Sequence, residues 1–144
     1  MSRKLSEHSY FGTRSGSAGN VSLLVDSEES IVITPTRLPY EIMTINDLCV
    51  VDFDLKCIEG ELKPSIEAPM HLAAYKTRPD VSAVIHTHQR GASALSLLGV
   101  PIPPLFDEVA LAIGEIVDVV PYALSGTPEL HEESLLSKGA GCDT

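Results

Sequence analysis

The chain has little cysteine, few basic residues and no long apolar run, and each shortage excludes a class of protein. Its three cysteines form no Cys-x-x-Cys pair, so there is no disulfide framework and a reducing compartment is favoured. Ten basic residues against twenty acidic ones give a net charge of −10, which argues against nucleic acid or an anionic membrane as partner. No apolar stretch reaches the roughly 18 residues of a membrane span, and the N-terminal MSRKLSEHSYFG lacks a signal-peptide core. We therefore expect a cytoplasmic protein.

The remaining composition is that of an ordinary globular protein. Hydrophobic residues make up 44% of the 144 residues, which is enough to bury one core. β-Branched runs predict strands at 21–26, 30–35, 49–54, 81–88 and 116–122, and the first two would form a hairpin. Helical spacing predicts helices at 3–14, 63–80, 91–99 and 125–138. We expect a single domain, residues 1–144, of the α/β or α+β class.

The most regular of these helices is 63–80. Ser65 could cap its N-terminus, and Pro79 would end it. Its predicted buried face consists of Met70, Ala73, Ala74 and Thr77.

The stretch AVIHTH places two histidines one residue apart at the end of an apolar strand. Side chains alternate along a strand, so His86 and His88 would share a face about 6–7 Å apart, a spacing that suits two imidazoles on one metal ion. The alternative is that one histidine is a hydrogen-bonded polar group at a strand end and the other is exposed. Glu67, in the first turn of the preceding helix, could be a simple helix-start carboxylate. The helix and the strand run antiparallel with similar lengths, however, which brings Glu67 toward both histidines as a ligand or general base.

A loop of small residues, SGSAGNVS at 15–22, precedes the first strand. Its glycines would let backbone amides approach an anion, although a plain turn explains the pattern equally well.

Four segments occur in this order along the chain: GSAGNVS, ITPTRLPYEIMTINDLCVVDFD, KPSIEAPMHLAAYKTRPDVSAVIHTH and VVPYALSGTPEL. Together they resemble the class II aldolase/adducin family over residues 10–138. The resemblance implies a three-layer α/β/α fold with a central, mostly antiparallel sheet, assembled as a homotetramer. It implies Zn²⁺, or another divalent metal, held by Glu67, His86 and His88, with Glu67 also the catalytic acid/base. It further implies phosphate-binding roles for Gly19, Asn20, Thr36 and Ser65.

The activity implied by the resemblance is retro-aldol cleavage of a sugar or sugar phosphate through an enediolate stabilised by zinc. Two alternatives stay open. One is a sugar-phosphate 4-epimerase of the same family, in which Asp is usual where this chain has Glu67. The other is a non-catalytic, adducin-like or incomplete domain.

Three departures from the family pattern bear on this expectation. Arg37 stands where glycine is usual, and Ile66 replaces a serine, which favours altered or lost phosphate recognition. The third zinc histidine of the family lies beyond the last matched block, so the chain is expected to be C-terminally incomplete relative to the family. The other histidines, His8, His71 and His131, match no ligand position, and we expect His71 to be structural.

Overall fold

The computed structural model describes residues 2–11, 18–25, 29–114 and 116–130. The chain divides into two compact units, 1–89 and 90–144. Among the described residues, no helix is long and apolar enough to cross a membrane.

The first unit is built on a five-stranded sheet in which all neighbours are antiparallel, with the order β4-β3-β2-β1-β5. The strands are β1 (Asn20–Val25), β2 (Ser30–Ile33), β3 (Cys49–Asp52), β4 (Cys57–Glu59) and β5 (Ala83–His86). The predicted hairpin of the first two strands is confirmed, with Ser22 opposite Ile33. The last strand pairs with β1 at the edge of the sheet, and His86 lies opposite Asn20.

Helix α1 spans Ser2–Glu7 and helix α2 spans Ala68–Thr77. On one face of the sheet, α2 packs against β2 and β3 and forms the main core. Its members are Ile31, Ile33, Cys49, Val51, Ala68, Leu72 and Tyr75. The alternation of buried residues along β2 and β3 accounts for this face, since residues two apart on a strand point to the same side.

The opposite face of β1 is covered by α1 and by the 38–48 segment. A second core of Phe11, Tyr40 and Met43 lies there, with Leu5 and Val21 packed against it. The Phe11 and Tyr40 rings stack at 4.4 Å between centroids. Elements therefore lie on both faces of an antiparallel sheet, and the predicted α/β/α fold class is confirmed.

Two predicted helices are shorter than expected. Helix α1 ends at Glu7 because the backbone turns to a φ of 61° at Ser9, and residues 12–14 lie outside the described residues. Helix α2 begins at Ala68 rather than residue 63, with Glu67 as its N-cap. Ser65 still contributes, because its hydroxyl accepts the Glu67 amide hydrogen at 3.2 Å.

The predicted buried face of α2 is wrong. The residues buried are Ala68, His71, Leu72 and Tyr75. These positions have helical spacing, but a histidine and a tyrosine complete the stripe. The predicted face was rotated because the histidine and the tyrosine were not expected to be buried.

In the second unit, helix α3 (Arg90–Leu97) and helix α4 (Asp107–Ile113) are described. The helix predicted at 91–99 is confirmed, and Gly99 follows it with a φ of 64°. The strand predicted at 116–122 is wrong. Within the described part of this unit, Val117 forms only an isolated bridge with Ile102, so no ladder supports a strand. Residues 128–130 are helical, and the rest of the predicted helix 125–138 lies outside the described residues.

Candidate functional site

Strand register places three polar side chains on the sheet face that carries α2. Asn20 and Ser22 are two apart on β1, and His86 lies opposite Asn20 on β5. Because α2 and β5 run antiparallel, the first residues of the helix lie above this end of β5. Glu67 thereby reaches the end of the sheet at which Asn20 and His86 meet.

Glu67 and His86 are in contact. The Oε2 atom of Glu67 lies 3.0 Å from Nδ1 of His86. That Nδ1 atom is buried and has no hydrogen-bond partner among the described residues. The start of α2 therefore lies close to the histidine strand, as predicted.

His88 lies two residues beyond the contact, after β5 has ended at His86. Its amide nitrogen donates to the carbonyl oxygen of Tyr10 at 2.8 Å, and this hydrogen bond holds the backbone just beyond the end of β5. The two imidazoles stack, with centroids 4.9 Å apart and planes 14° from parallel. Partial burial, together with His86, lowers the pKa of His88, which favours the neutral ring that a metal ligand needs.

The side-chain types of Glu67, His86 and His88 suit a divalent metal, but their side chains do not converge on one point in this structure. Two imidazoles and a carboxylate form a standard three-ligand set, and the buried Nδ1 of His86, beside Glu67, is a potential ligand atom with no hydrogen-bond partner in the part of the chain that the structure describes. Across the described ranges, however, no three His, Cys, Asp or Glu side chains are arranged to hold an ion. The set fits by chemistry and proximity, and the stacked His88 ring does not converge with the other two donors.

The Glu67 carboxylate is held from behind by a polar network. The Asn20 amide nitrogen donates to Oε2 of Glu67 at 2.5 Å. The Asn20 amide oxygen faces Nε2 of His71, and Nδ1 of His71 lies 2.6 Å from the Ser22 hydroxyl. That hydroxyl is 2.7 Å from the Tyr75 phenol. The structural role expected for His71 has this physical basis: it is fully buried between Asn20 and Ser22.

The sequence alone did not mark Ser22, His71 and Tyr75 as neighbours of the site. One signal was present, since the histidine and the tyrosine lie four residues apart on the same helix. Their partner on the strand could not be found without the register of β1 against the helix.

Gly19 meets a strict steric requirement. Its φ is +76°, and an added Cβ would lie 2.5 Å from both the His86 carbonyl oxygen and the Phe11 ring. The close approach of β1 to β5 thus explains by sterics alone why this position is a glycine. No ligand is needed for that explanation. Its predicted phosphate role stays a prediction.

The other residues predicted to bind phosphate are differently placed. Asn20 uses both ends of its amide within the protein, on Glu67 and on His71. The Ser65 hydroxyl receives the Glu67 amide hydrogen, and the Thr36 amide donates to the carbonyl oxygen of Lys63 at 2.9 Å. Arg37 has a left-handed backbone with a φ of 61°, and its side chain is exposed.

A family model described as "Class II Aldolase and Adducin N-terminal domain" matches residues 2–141. The chain belongs to this family. The histidine strand, the helix that carries Glu67 and the Gly19-Asn20 turn all lie within the match.

Two relatives of this class II aldolase family member are named as an aldolase and as an epimerase. The chain is 41% identical to the L-fuculose phosphate aldolase of Escherichia coli O6:H1 over 131 residues, which are 91% of this chain and 60% of the relative. It is 40% identical over 87 residues to an L-ribulose-5-phosphate 4-epimerase of Salmonella paratyphi B, 60% of this chain and 38% of that protein.

The fold is similar to that of a solved L-fuculose 1-phosphate aldolase. The TM-score is 0.82 at 34% sequence identity, over 91% of this chain and 60% of that one. The chain therefore spans about three-fifths of the aldolases that it matches.

Proposed function

We propose that this class II aldolase family member is a metal-dependent lyase that cleaves a ketose or ketose phosphate by retro-aldol chemistry. The observation that carries the proposal is the contact between the Glu67 carboxylate and the buried Nδ1 of His86. The aldolase names of relatives that cover most of this chain support the same reaction class.

Glu67, His86 and His88 would hold the metal, with Zn²⁺ as the expected ion and other divalent ions compatible with the same ligands. When bound, such an ion supplies Lewis-acid stabilisation of the negative charge that develops on the ketose oxygens.

Glu67 would act as the general acid/base of the reaction. In the cleavage direction, the Glu67 carboxylate takes the hydroxyl proton, the carbon–carbon bond breaks to release an aldehyde, and the electron pair of that bond remains on the other fragment as an enediolate. The enediolate carbon then takes a proton from the Glu67 carboxyl group, which completes the ketone product. Asn20 donates to Oε2 of Glu67, so the carboxylate is held in one orientation for this transfer.

The anionic end of the substrate would be bound by Gly19, Asn20, Thr36 and Ser65. The Asn20 side-chain amide is already occupied at both ends, on Glu67 and on His71. The exposed Arg37 offers a guanidinium that can pair with phosphate or carboxylate, so both substrate types belong in a screen.

The decisive test measures metal content and aldehyde release together. Protein purified without chelator is assayed for bound metal by plasma mass spectrometry, beside the double variant His86→Ala/His88→Ala. Ketose phosphates and free sugar acids are then screened for aldehyde release. We expect bound metal in the wild type, loss of it in the double variant, and a loss of rate of at least a hundredfold in Glu67→Gln.

Glu61→Gln is the matched control, because Glu61 is an exposed carboxylate in the segment before α2. It should leave metal content and rate unchanged. If the wild type binds no metal even after zinc is added, and releases no aldehyde, the proposal is wrong and a non-catalytic, adducin-like domain is the better description.

The 40% identity to a 4-epimerase favours epimerisation as the second candidate. Both reactions break the same kind of bond, but the epimerase rejoins the aldehyde from its other face. Trapping the free aldehyde during turnover distinguishes the two, since only the lyase accumulates it. The homotetramer and the cytoplasmic location stay predictions.

A further inference from the structure

Five side chains form one continuous hydrogen-bonded chain behind the proposed catalytic carboxylate. It runs from Tyr75 through Ser22, His71 and Asn20 to Glu67, all within residues 1–89. Each of the five is buried, with no more than 8% of its surface exposed. An unpaired polar group in such a buried network costs free energy, so each member constrains the orientation of the next.

The hydrogen bonds of this network have one favoured donor-to-acceptor direction, which is determined by the Glu67 carboxylate at its end. A carboxylate only accepts, so the Asn20 amide must turn its nitrogen toward Glu67 and its oxygen toward His71. His71 then has to donate from Nε2, which leaves Nδ1 as an acceptor for the Ser22 hydroxyl. Ser22, having donated its only proton, accepts from the Tyr75 phenol.

The reversed polarity would be poor. If His71 carried its proton on Nδ1, Nε2 would need a donor, and the Asn20 amide would flip. Its oxygen would then face the Glu67 carboxylate, with two acceptors and no proton between them. The identity of the protonated nitrogen on His71 therefore decides which way Asn20 faces.

We propose that His71, backed by Ser22 and Tyr75, is a positioning residue that holds the Asn20 amide with its nitrogen toward Glu67 and so fixes the orientation of that carboxylate. Burial lowers the pKa of His71 to about 4, which agrees with a neutral ring that has one donor and one acceptor nitrogen. The hydrogen-bond chain stands on the geometry alone, and its effect on metal and substrate rests on the function proposed above.

Nuclear magnetic resonance tests the polarity directly. In the 144-residue protein labelled with nitrogen-15, the ring nitrogen shifts report the tautomer of His71, and the Asn20 side-chain protons report the hydrogen bond of that amide to Glu67. We expect the Nε2–H tautomer at neutral pH and slow exchange of the Asn20 amide protons. The Nδ1–H tautomer in the wild type would overturn the proposal.

Variants separate positioning from packing. His71→Leu should release the Asn20 amide, with at least tenfold faster proton exchange, whereas His71→Gln keeps one donor and one acceptor and should restore protection. Leu72→Ala is the matched control, because Leu72 lies next to His71 on the same buried helix face but outside the chain of hydrogen bonds. If Leu72→Ala releases Asn20 as much as His71→Leu does, the network is merely structural and the proposal fails.

Zinc titration calorimetry on the same proteins measures the effect on the site. Partners that orient a ligand from outside the coordination sphere typically change metal affinity by 10- to 100-fold. We expect the zinc dissociation constant to rise about tenfold in His71→Leu and by less than threefold in His71→Gln. If the wild type binds no zinc, the proposed function fails, while the tautomer and exchange measurements still decide the positioning role. Unchanged affinity in His71→Leu, with zinc bound in the wild type, would overturn it.

Discussion

At the scale of single residues, the tightest constraint on the site lies in the backbone of Gly19. This residue adopts a left-handed φ of +76° at the point where β1 approaches β5, with the His86 carbonyl oxygen directly beside it. A side chain would push apart the two strands that bring Asn20 and His86 together. The glycine thus matters to the site by allowing a short distance between strands.

Gly19→Ala should destabilise the protein by about 2–4 kcal/mol, since left-handed strain of roughly 1–2 kcal/mol adds to a steric clash. Gly99→Ala is the control, because Gly99 has a similar φ of +64° and nothing within 4 Å of its added Cβ. It should lose only the strain, about 1 kcal/mol. Equal losses in urea denaturation of the two variants would mean that the close approach at Gly19 is unimportant.

The buried imidazole of His71 should make stability depend on pH. Its pKa is about 4 in the folded protein, because burial opposes the charge, against an ordinary 6.5. As the pH falls through 6.5, the unfolded chain takes up the proton first, so stability is full above that value and declines toward pH 4. The loss should be on the order of 3 kcal/mol and should level off below the folded-state pKa.

Urea midpoints measured between about pH 7 and pH 4 check this decline. The variant His71→Gln has no group to titrate at this position, so its midpoint should fall less over the same interval. Parallel pH profiles of wild type and variant would assign the decline to other groups.

At the scale of elements, the turn between β3 and β4 holds a bulky residue in an unfavourable conformation. Leu55 has a φ of 66° and an exposed side chain, so nothing gained by burial offsets the strain. The turn is held instead by Asp52, whose Oδ1 accepts the amide hydrogens of Asp54 at 3.0 Å and Lys56 at 2.8 Å. Backbone hydrogen bonds from Leu55 to Asp52 and from Asp52 to Lys56, both 3.0 Å, close the same turn.

Leu55→Gly should therefore stabilise the protein by about 0.5–1 kcal/mol, as the relief of strain exceeds the entropy that glycine adds to the unfolded chain. Lys56→Gly, one residue on, changes a position with no positive φ and should destabilise by a similar amount. Thermal denaturation of both variants measures the difference. A loss of stability in Leu55→Gly would show that the left-handed conformation costs nothing here.

At the scale of the whole molecule, burial is concentrated in residues 1–89. Every described residue in the two hydrophobic cores, and every described side chain around Glu67 and His86, lies in this unit. Helices α3 and α4 contain no buried residue among those described. Since apolar burial is the main favourable term in folding, the first unit should carry most of the stability.

A fragment of residues 1–89 should accordingly fold alone. We expect a cooperative urea transition, and the same His71 ring nitrogen shifts as in the full chain. The complementary fragment, residues 90–144, should show no such transition by circular dichroism. A fragment 1–89 that stays unfolded would mean that the second unit supplies an essential part of the core.

Much of the fold could be predicted because its signals are local. The β-branched runs correctly located the four strands at 21–26, 30–35, 49–54 and 81–88, since each pattern reflects one buried face. The strand at 116–122 was wrong because an apolar run becomes a strand only where a partner supplies hydrogen bonds. The face of α2 was wrong because burial of His71 depends on Asn20 and Ser22, which lie far away in the sequence.

The sequence by itself determined the family, four of the five strands of the sheet, and the proximity of Glu67 to the histidine strand. Those features follow from residue patterns and from the lengths of two consecutive elements. Only the tertiary structure decided that His86 touches Glu67 while His88 stacks beside it, and that Asn20 turns its amide toward the carboxylate. Sheet register and helix rotation set those contacts, and both depend on which distant groups can satisfy one another once they are buried.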